Sequence, residues 1–204
     1  MYPLFESIKV VDGNLVNLEW HQRRVDNSRK KLLGGTDHLK LKDIIEVPEE
    51  FAKDVVKCRM SYGLELGTVI FSNYVKRQIT SLQQVESELF DYSFKYEDRT
   101  RLDQLYEQRG PCDEVLITHD GIIKDTSYSN VVLYDGQRWY TPEQPLLEGT
   151  QRAKLLAAGQ IKQRKIYVVD LPYFKKLVLI NAMLEFESHV FIRIPDIKLS
   201  KGFG

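Results

Sequence analysis

Three Asp-Gly dipeptides, Asp12-Gly13, Asp120-Gly121 and Asp135-Gly136, each stand between two apolar runs. Both residue types tolerate the positive φ that a tight reversal demands, so each reads as a hairpin between strands. A chain with three such reversals builds sheets whose neighbours are mainly antiparallel and close in sequence. FESIKVVDGNLVNL (5–18) supplies the first pair, DEVLITHDGIIKD and NVVLYDGQRWYTP the others. Helices are expected at 20–33, closed by Gly34-Gly35, at 48–55 with Pro48 in its first turn, at 99–108 and at 149–162. Further strands are expected at 56–62, 68–76, 79–85, 165–170, 177–180 and 190–194. The β–Gly-rich turn–α unit of a dinucleotide-binding fold is missing. The expected class is α/β (α+β), with hairpin-rich sheets and helices in two lobes, 1–90 and 99–204, connected through 91–98.

Charge and cysteine usage narrow the partners. Lys plus Arg and Asp plus Glu both total 29 in 204 residues. That balance removes the electrostatic case for a nucleic-acid binder. The basic group on the first long helix (Arg23, Arg24, Arg29, Lys30, Lys31) is expected mostly as a solvated face. No apolar run approaches the roughly 18–20 residues of a membrane span, and MYPLFESIKVV lacks a signal-peptide pattern. Cys58 and Cys112 form no CxxC pair, which suits free thiols in a cytoplasmic protein. His21, His38, His119 and His189 show no ligand spacing, so no metal site is expected.

Five motifs then occur in a meaningful order: F-E-S at 5–7, H-Q-R-R at 21–24, K-Y-E-D-R at 95–99, D-T-S-Y-S-N at 125–130, and T-P…L-E-G-T-Q-R at 141–152. L-I-N-A at 179–182 makes a sixth. Together they resemble the class IV aminotransferases, the fold type IV pyridoxal 5'-phosphate (PLP) enzymes. That resemblance implies a two-lobed enzyme with its cofactor in the cleft between lobes, and a homodimer. It implies that Lys95 condenses with the cofactor aldehyde and later moves a proton. Asp125 takes the position facing the pyridine nitrogen, one methylene shorter than the family's usual Glu. Its bland alternative is a turn-capping Asp. Phosphate binding falls to Arg24, Ser129, Asn130 and the helix start Gly149-Thr150-Gln151, where free N–H groups suit an anion. Arg23 could replace Arg24 only on a rotated helix. His21 orients the arginine or fills a half-buried slot, and Arg152 braces its helix.

On the substrate side, Arg59, Asn181 and Ala182 are candidates for holding carboxylates, or else are ordinary strand and loop residues. Arg99 completes a K-x-x-x-R spacing similar to the 4-amino-4-deoxychorismate lyase branch. The resemblance therefore implies a lyase forming 4-aminobenzoate and pyruvate for folate synthesis. The alternatives are a branched-chain or D-amino acid aminotransferase and a non-catalytic PLP-binding protein. The chain is shorter than typical members and lacks the strand pair and glycines that precede F-E, so a simplified substrate pocket is expected.

Overall fold

A computed structural model describes residues 3–35, 39–186 and 191–200; His38, His189 and Val190 lie outside them. The chain divides into two units, Met1–Lys76 with Phe94–Asp98, and Arg77–Ser93 with Arg99–Gly204. The sheet-rich mixture of strands and helices has the expected α/β character.

The first unit is a four-stranded antiparallel sheet in the order β2-β1-β3-β4, formed by β1 (Leu4–Val11), β2 (Asn14–Leu15), β3 (Val55–Tyr62) and β4 (Leu66–Asn73). Asp12 and Gly13 take φ of 48° and 77°, which makes the first expected reversal real. Along β1 and β3 the even-numbered residues are buried and form the core face, including Leu4, Ile8, Val10, Val56, Cys58, Met60 and Tyr62. That alternation follows from the two-residue period of a strand. Helix α1 (Leu18–Leu33) buries His21, Val25, Ser28 and Arg29, a stripe at helical spacing, and ends where Gly34 adopts a left-handed φ of 67°. Arg29 departs from the expected solvated basic face. It is buried and donates to the carbonyls of Gly63, at 3.1 Å, and Leu64 in the β3–β4 turn. A short α2 (Leu41–Ile44) follows α1.

The segment 48–55, expected as a helix, shrinks to one 3-10 turn, Glu49–Phe51. The chain must already be extended at Val55, which pairs with Val11, and Asp54 turns into that strand with φ of 63°.

The second unit holds two sheets. One runs β13-β5-β6-β7, with β5 (Leu82–Glu86), β6 (Glu114–His119), β7 (Ile122–Ile123) and β13 (Ile197–Lys198). The other runs β10-β9-β8-β11-β12, with β8 (Asn130–Tyr134), β9 (Trp139–Pro142), β10 (Lys162–Arg164), β11 (Lys176–Ile180) and β12 (Phe191–Arg193). Leu82, Leu116, Ile123, Val131, Leu133, Leu177 and Leu179 share a buried apolar core. Hairpins at Asp120-Gly121 and across 135–138 are present, but β5/β6, β9/β10 and β5/β13 pair in parallel.

Helix α3 (Thr100–Tyr106) continues as a 3-10 turn through Arg109. Helix α4 (Thr150–Ala157) is shorter than expected. Gly159, at φ 67°, closes it with Gly159 and Gln160 N–H bonds to the carbonyls of Leu156 and Leu155, freeing 162–164 to become β10. The expected strand at 165–170 is instead a 3-10 helix, Val168–Tyr173. Asp170 reaches back to accept from the Tyr167 N–H at 2.9 Å, starting a turn where extension was expected.

Candidate active site

In the first unit the organising residue is Glu6. It sits on the core face of β1 between Leu4 and Ile8, where an apolar residue would be ordinary, and is fully buried. Two α1 side chains one turn apart meet it. His21 Nδ1 lies 2.7 Å from Glu6 Oε2, and Arg24 donates through Nε to Oε1 at 2.7 Å and through Nη2 to Oε2 at 2.5 Å. Burial pushes the Glu6 carboxyl up, but the Arg24 guanidinium and the hydrogen bonds from His21 and Arg24 outweigh it and hold the group at about 2. Burial lowers the His21 pKa against the pull of Glu6, which fits a neutral ring donating from Nδ1. Arg24 is thus the inward arginine of the pair. Arg23 is exposed and stacks over Trp20 at 4.6 Å.

Lys95 lies in a run bonded along the start of β1. The Phe5 N–H donates to the Lys95 carbonyl at 3.0 Å, Leu4 bridges to Tyr96, and the Glu97 N–H donates to the Pro3 carbonyl at 2.8 Å. The half-buried Lys95 places Nζ 4.6 Å from the centroid of the Phe5 ring, and its charge contributes to lowering the His21 pKa. The guanidinium of Arg59 lies 3.8 Å from the same ring, and Arg59 pairs with Glu97.

In the second unit, the loop 125–130 is polar yet enclosed: Asp125, Thr126, Ser127, Ser129 and Asn130 are all buried. Asp125 Oδ1 accepts from Asn130 Nδ2 at 2.8 Å, and Oδ2 accepts from the N–H groups of Leu146 and Leu147 at 2.8 and 3.1 Å. Burial nevertheless pushes its carboxyl up to about 7, with Asn130, the two N–H groups and Arg152 only partly offsetting it. Asn130 also donates to the Leu147 carbonyl. Gly149 has no room for a side chain, since a Cβ there would collide with Asn130 Oδ1. It opens α4, where Thr150, Gln151 and Arg152 are buried and no acid occupies the first turn. Arg152 donates to the Pro142 carbonyl at 2.8 Å, bracing its helix, while its Nε and Gln151 Oε1 are buried without a hydrogen-bond partner.

Asn181 donates to Ser129 Oγ at 2.9 Å and accepts from the N–H groups of Met183 and Leu184. It therefore ties L-I-N-A to the S-N pair. The neighbouring Ala182 is half-buried. Arg99 donates to the Ser127 carbonyl at 2.9 Å, so it steadies the same loop.

Glu6 stands within F-E-S, and the motif alone assigns it no role. A carboxylate on a strand's apolar face was the available signal. Glu97 and the Leu146–Leu147 amides carried none. Nor did the histidine spacing point to Glu86, His119 and Asp120, which bring one ligand-type atom each within 4.8 Å; Glu86 and Asp120 are exposed.

The class IV amino-transferase family model matches residues 3–187, and the chain belongs to that family. It is 36% identical over 185 residues to an uncharacterized Haemophilus influenzae protein, covering 90% of this chain and 98% of that one. A candidate 4-amino-4-deoxychorismate lyase from Haemophilus somnus has a similar structure, with TM-score 0.84 and 33% identity over 91% of this chain and 98% of that one. The PLP-bound form of a hypothetical aminotransferase from Mycobacterium tuberculosis shares the fold, with TM-score 0.71 and 19% identity over 96% and 81% of the two chains. The fold is that of the fold type IV aminotransferases. Among the described residues no helix is long and apolar enough to cross a membrane.

Proposed function

We propose that this protein is a PLP-dependent lyase that converts 4-amino-4-deoxychorismate to 4-aminobenzoate and pyruvate. The family and its PLP-bound neighbour imply the cofactor. The observation that carries the cofactor part of this reading is Asp125. Its enclosed carboxylate accepts three hydrogen bonds and is still pushed to about 7. A carboxylate offers about four acceptor positions, so one remains. A cationic N–H is the partner that would keep this group ionised, and a protonated pyridine nitrogen is such a group. The start of α4 likewise suits a phosphate: the helix dipole is unmatched by any acid in its first turn, and the Arg152 Nε–H is a buried donor without a partner.

When bound, PLP supplies an aldehyde that captures the substrate amine and a ring that accepts the electron pair released beside it. Asp125 keeps the ring nitrogen protonated. Arg24, with its plane set by Glu6, joins Ser129, Asn130, Gly149, Thr150 and Gln151 in holding the phosphate. Lys95 Nζ removes the proton from the amine-bearing carbon, a general-base step worth about 10²–10⁴ in rate. Arg59, Asn181 and Ala182 stand on the substrate side. The substrate's C–O bond to the enolpyruvyl group then breaks, and that group leaves as pyruvate with the proton returned from Lys95. The substrate's carbocycle becomes aromatic, and no second substrate is required.

The K-x-x-x-R spacing of Lys95 and Arg99 and the likeness to the Haemophilus somnus protein favour the lyase. The aminotransferase reading rests on the name of the mycobacterial neighbour; in it Lys95 returns the proton and a 2-oxo acid takes the amine. Pyruvate release from aminodeoxychorismate without an added oxo acid supports the lyase, and an absolute oxo-acid requirement excludes it. The two buried free thiols fit a cytoplasmic setting. The family resemblance supports a homodimer, which light scattering would test.

A further inference from the structure

Phe5 carries two cations on one ring. The Arg59 guanidinium lies 3.8 Å and Lys95 Nζ 4.6 Å from its centroid, so the two groups lie within the span of one small molecule. The anion on Arg59 comes from the run that carries Lys95. Glu97, two residues on, pairs with Arg59 through a single Nη2–Oε2 contact. The backbone of that run is fixed by the Phe5–Lys95 and Pro3–Glu97 hydrogen bonds, so relief of the pair needs only the Glu97 side chain to turn.

We propose that Glu97 is an internal stand-in for the substrate's carboxylate and sets specificity by competing for Arg59. The inference rests on the reading of Lys95 as the catalytic lysine and deepens it. A substrate presenting a carboxylate to Arg59 displaces Glu97; an amine without one cannot and meets an occupied anchor. Three observations support the exchange. Arg59 and Glu97 are 36% and 31% exposed, and ion pairs so accessible to water hold weakly. A planar guanidinium can take an incoming carboxylate through two parallel N–H bonds where Glu97 uses one. Stacking on Phe5 holds the guanidinium in place while its partner changes. The substrate class is therefore amino compounds whose carboxylate sits a few bonds from the reacting amine. Glu97 is a positioning residue: it acts through Arg59 and touches no reacting atom.

The test compares wild type, Glu97→Gln, Glu97→Asp and Arg59→Gln as PLP-loaded proteins. Calorimetry measures binding of 4-aminobenzoate, which carries a carboxylate, and of aniline, which does not. Steady-state kinetics with aminodeoxychorismate run beside it. Losing the competitor should tighten 4-aminobenzoate binding and lower KM by roughly two- to five-fold, the scale of an exposed ion pair, with aniline unaffected and kcat moving less than KM. Glu97→Asp keeps the charge and should stay near wild type, and Arg59→Gln should erase the preference for 4-aminobenzoate over aniline. Glu97→Gln that leaves 4-aminobenzoate binding unchanged or weaker overturns the proposal, as does an Arg59→Gln protein that keeps its preference. The binding arm needs no turnover. A wild type with no reaction at all therefore defeats the lyase reading, while the binding comparison still decides on Glu97.

Discussion

Glu6 and Arg24 meet through two hydrogen bonds, Nε to Oε1 at 2.7 Å and Nη2 to Oε2 at 2.5 Å, with the carboxylate wholly buried. The pair fastens α1 to β1 and fixes the plane of the arginine expected to hold phosphate. An excellent geometry is needed to repay the desolvation of such a pair, and His21 supplies a further donor.

Acid should dissolve this arrangement. The Glu6 carboxyl is held at about 2 when folded, against an ordinary 4.5. A depressed carboxyl contributes stability that is complete above the unfolded value and lost as pH falls through the folded one. The expected loss between pH 4.5 and 2 is about 3 kcal/mol. Urea titrations across that window should show this slope in wild type and a reduced slope in Glu6→Gln. Glu6→Ala should destabilise the fold near neutral pH by up to about 3 kcal/mol, because the half-buried Arg24 guanidinium loses its carboxylate partner.

Asp125 predicts the opposite sign. Its carboxyl is raised from 3.8 to about 7 by burial, so the charged form burdens the cofactor-free fold above pH 7. That burden lifts as pH falls from 7 toward 4, and this group makes the cofactor-free protein more stable over that range. Thermal unfolding of the cofactor-free Asp125→Asn protein should lack this gain. PLP should then raise the melting temperature of wild type more than that of Asp125→Asn. Equal shifts in the two proteins would remove Asp125 from the ring-nitrogen role.

Gly149→Ala is a steric test. Its added Cβ meets Asn130 Oδ1, the side chain that also ties Asp125 to Leu147. Overpacking of this kind costs roughly 1–3 kcal/mol. The denaturation midpoint should fall accordingly, and PLP affinity should weaken along with it as the loop shifts.

What the sequence makes legible here is local. Asp12-Gly13 and Asp120-Gly121 announce their reversals because the left-handed backbone they adopt is written in the residue types. Gly34 announces the end of α1 for the same reason. The 48–55 and 165–170 segments depart from the expected helix and strand because tertiary pairing and one Asp170 hydrogen bond decide them, against weak local preference. The parallel partnership of β5 with β6 joins segments about 30 residues apart, and no dipeptide encodes it. At the candidate site, motif order names the residues expected to carry chemistry. It did not supply their supports: Glu6 beneath Arg24, the amides of Leu146 and Leu147 on Asp125, and Glu97 on Arg59. Those partners depend on which segments fold against one another, and a single residue's identity does not reveal that.

Covalent trapping reads directly whether Lys95 carries the cofactor. The PLP-loaded protein is reduced with borohydride, digested and examined by peptide mass spectrometry. A pyridoxyl phosphate adduct is expected on the ε-nitrogen of Lys95 and should be absent from Lys95→Ala. An adduct on another lysine, or none on a protein saturated with PLP, would contradict that role for Lys95.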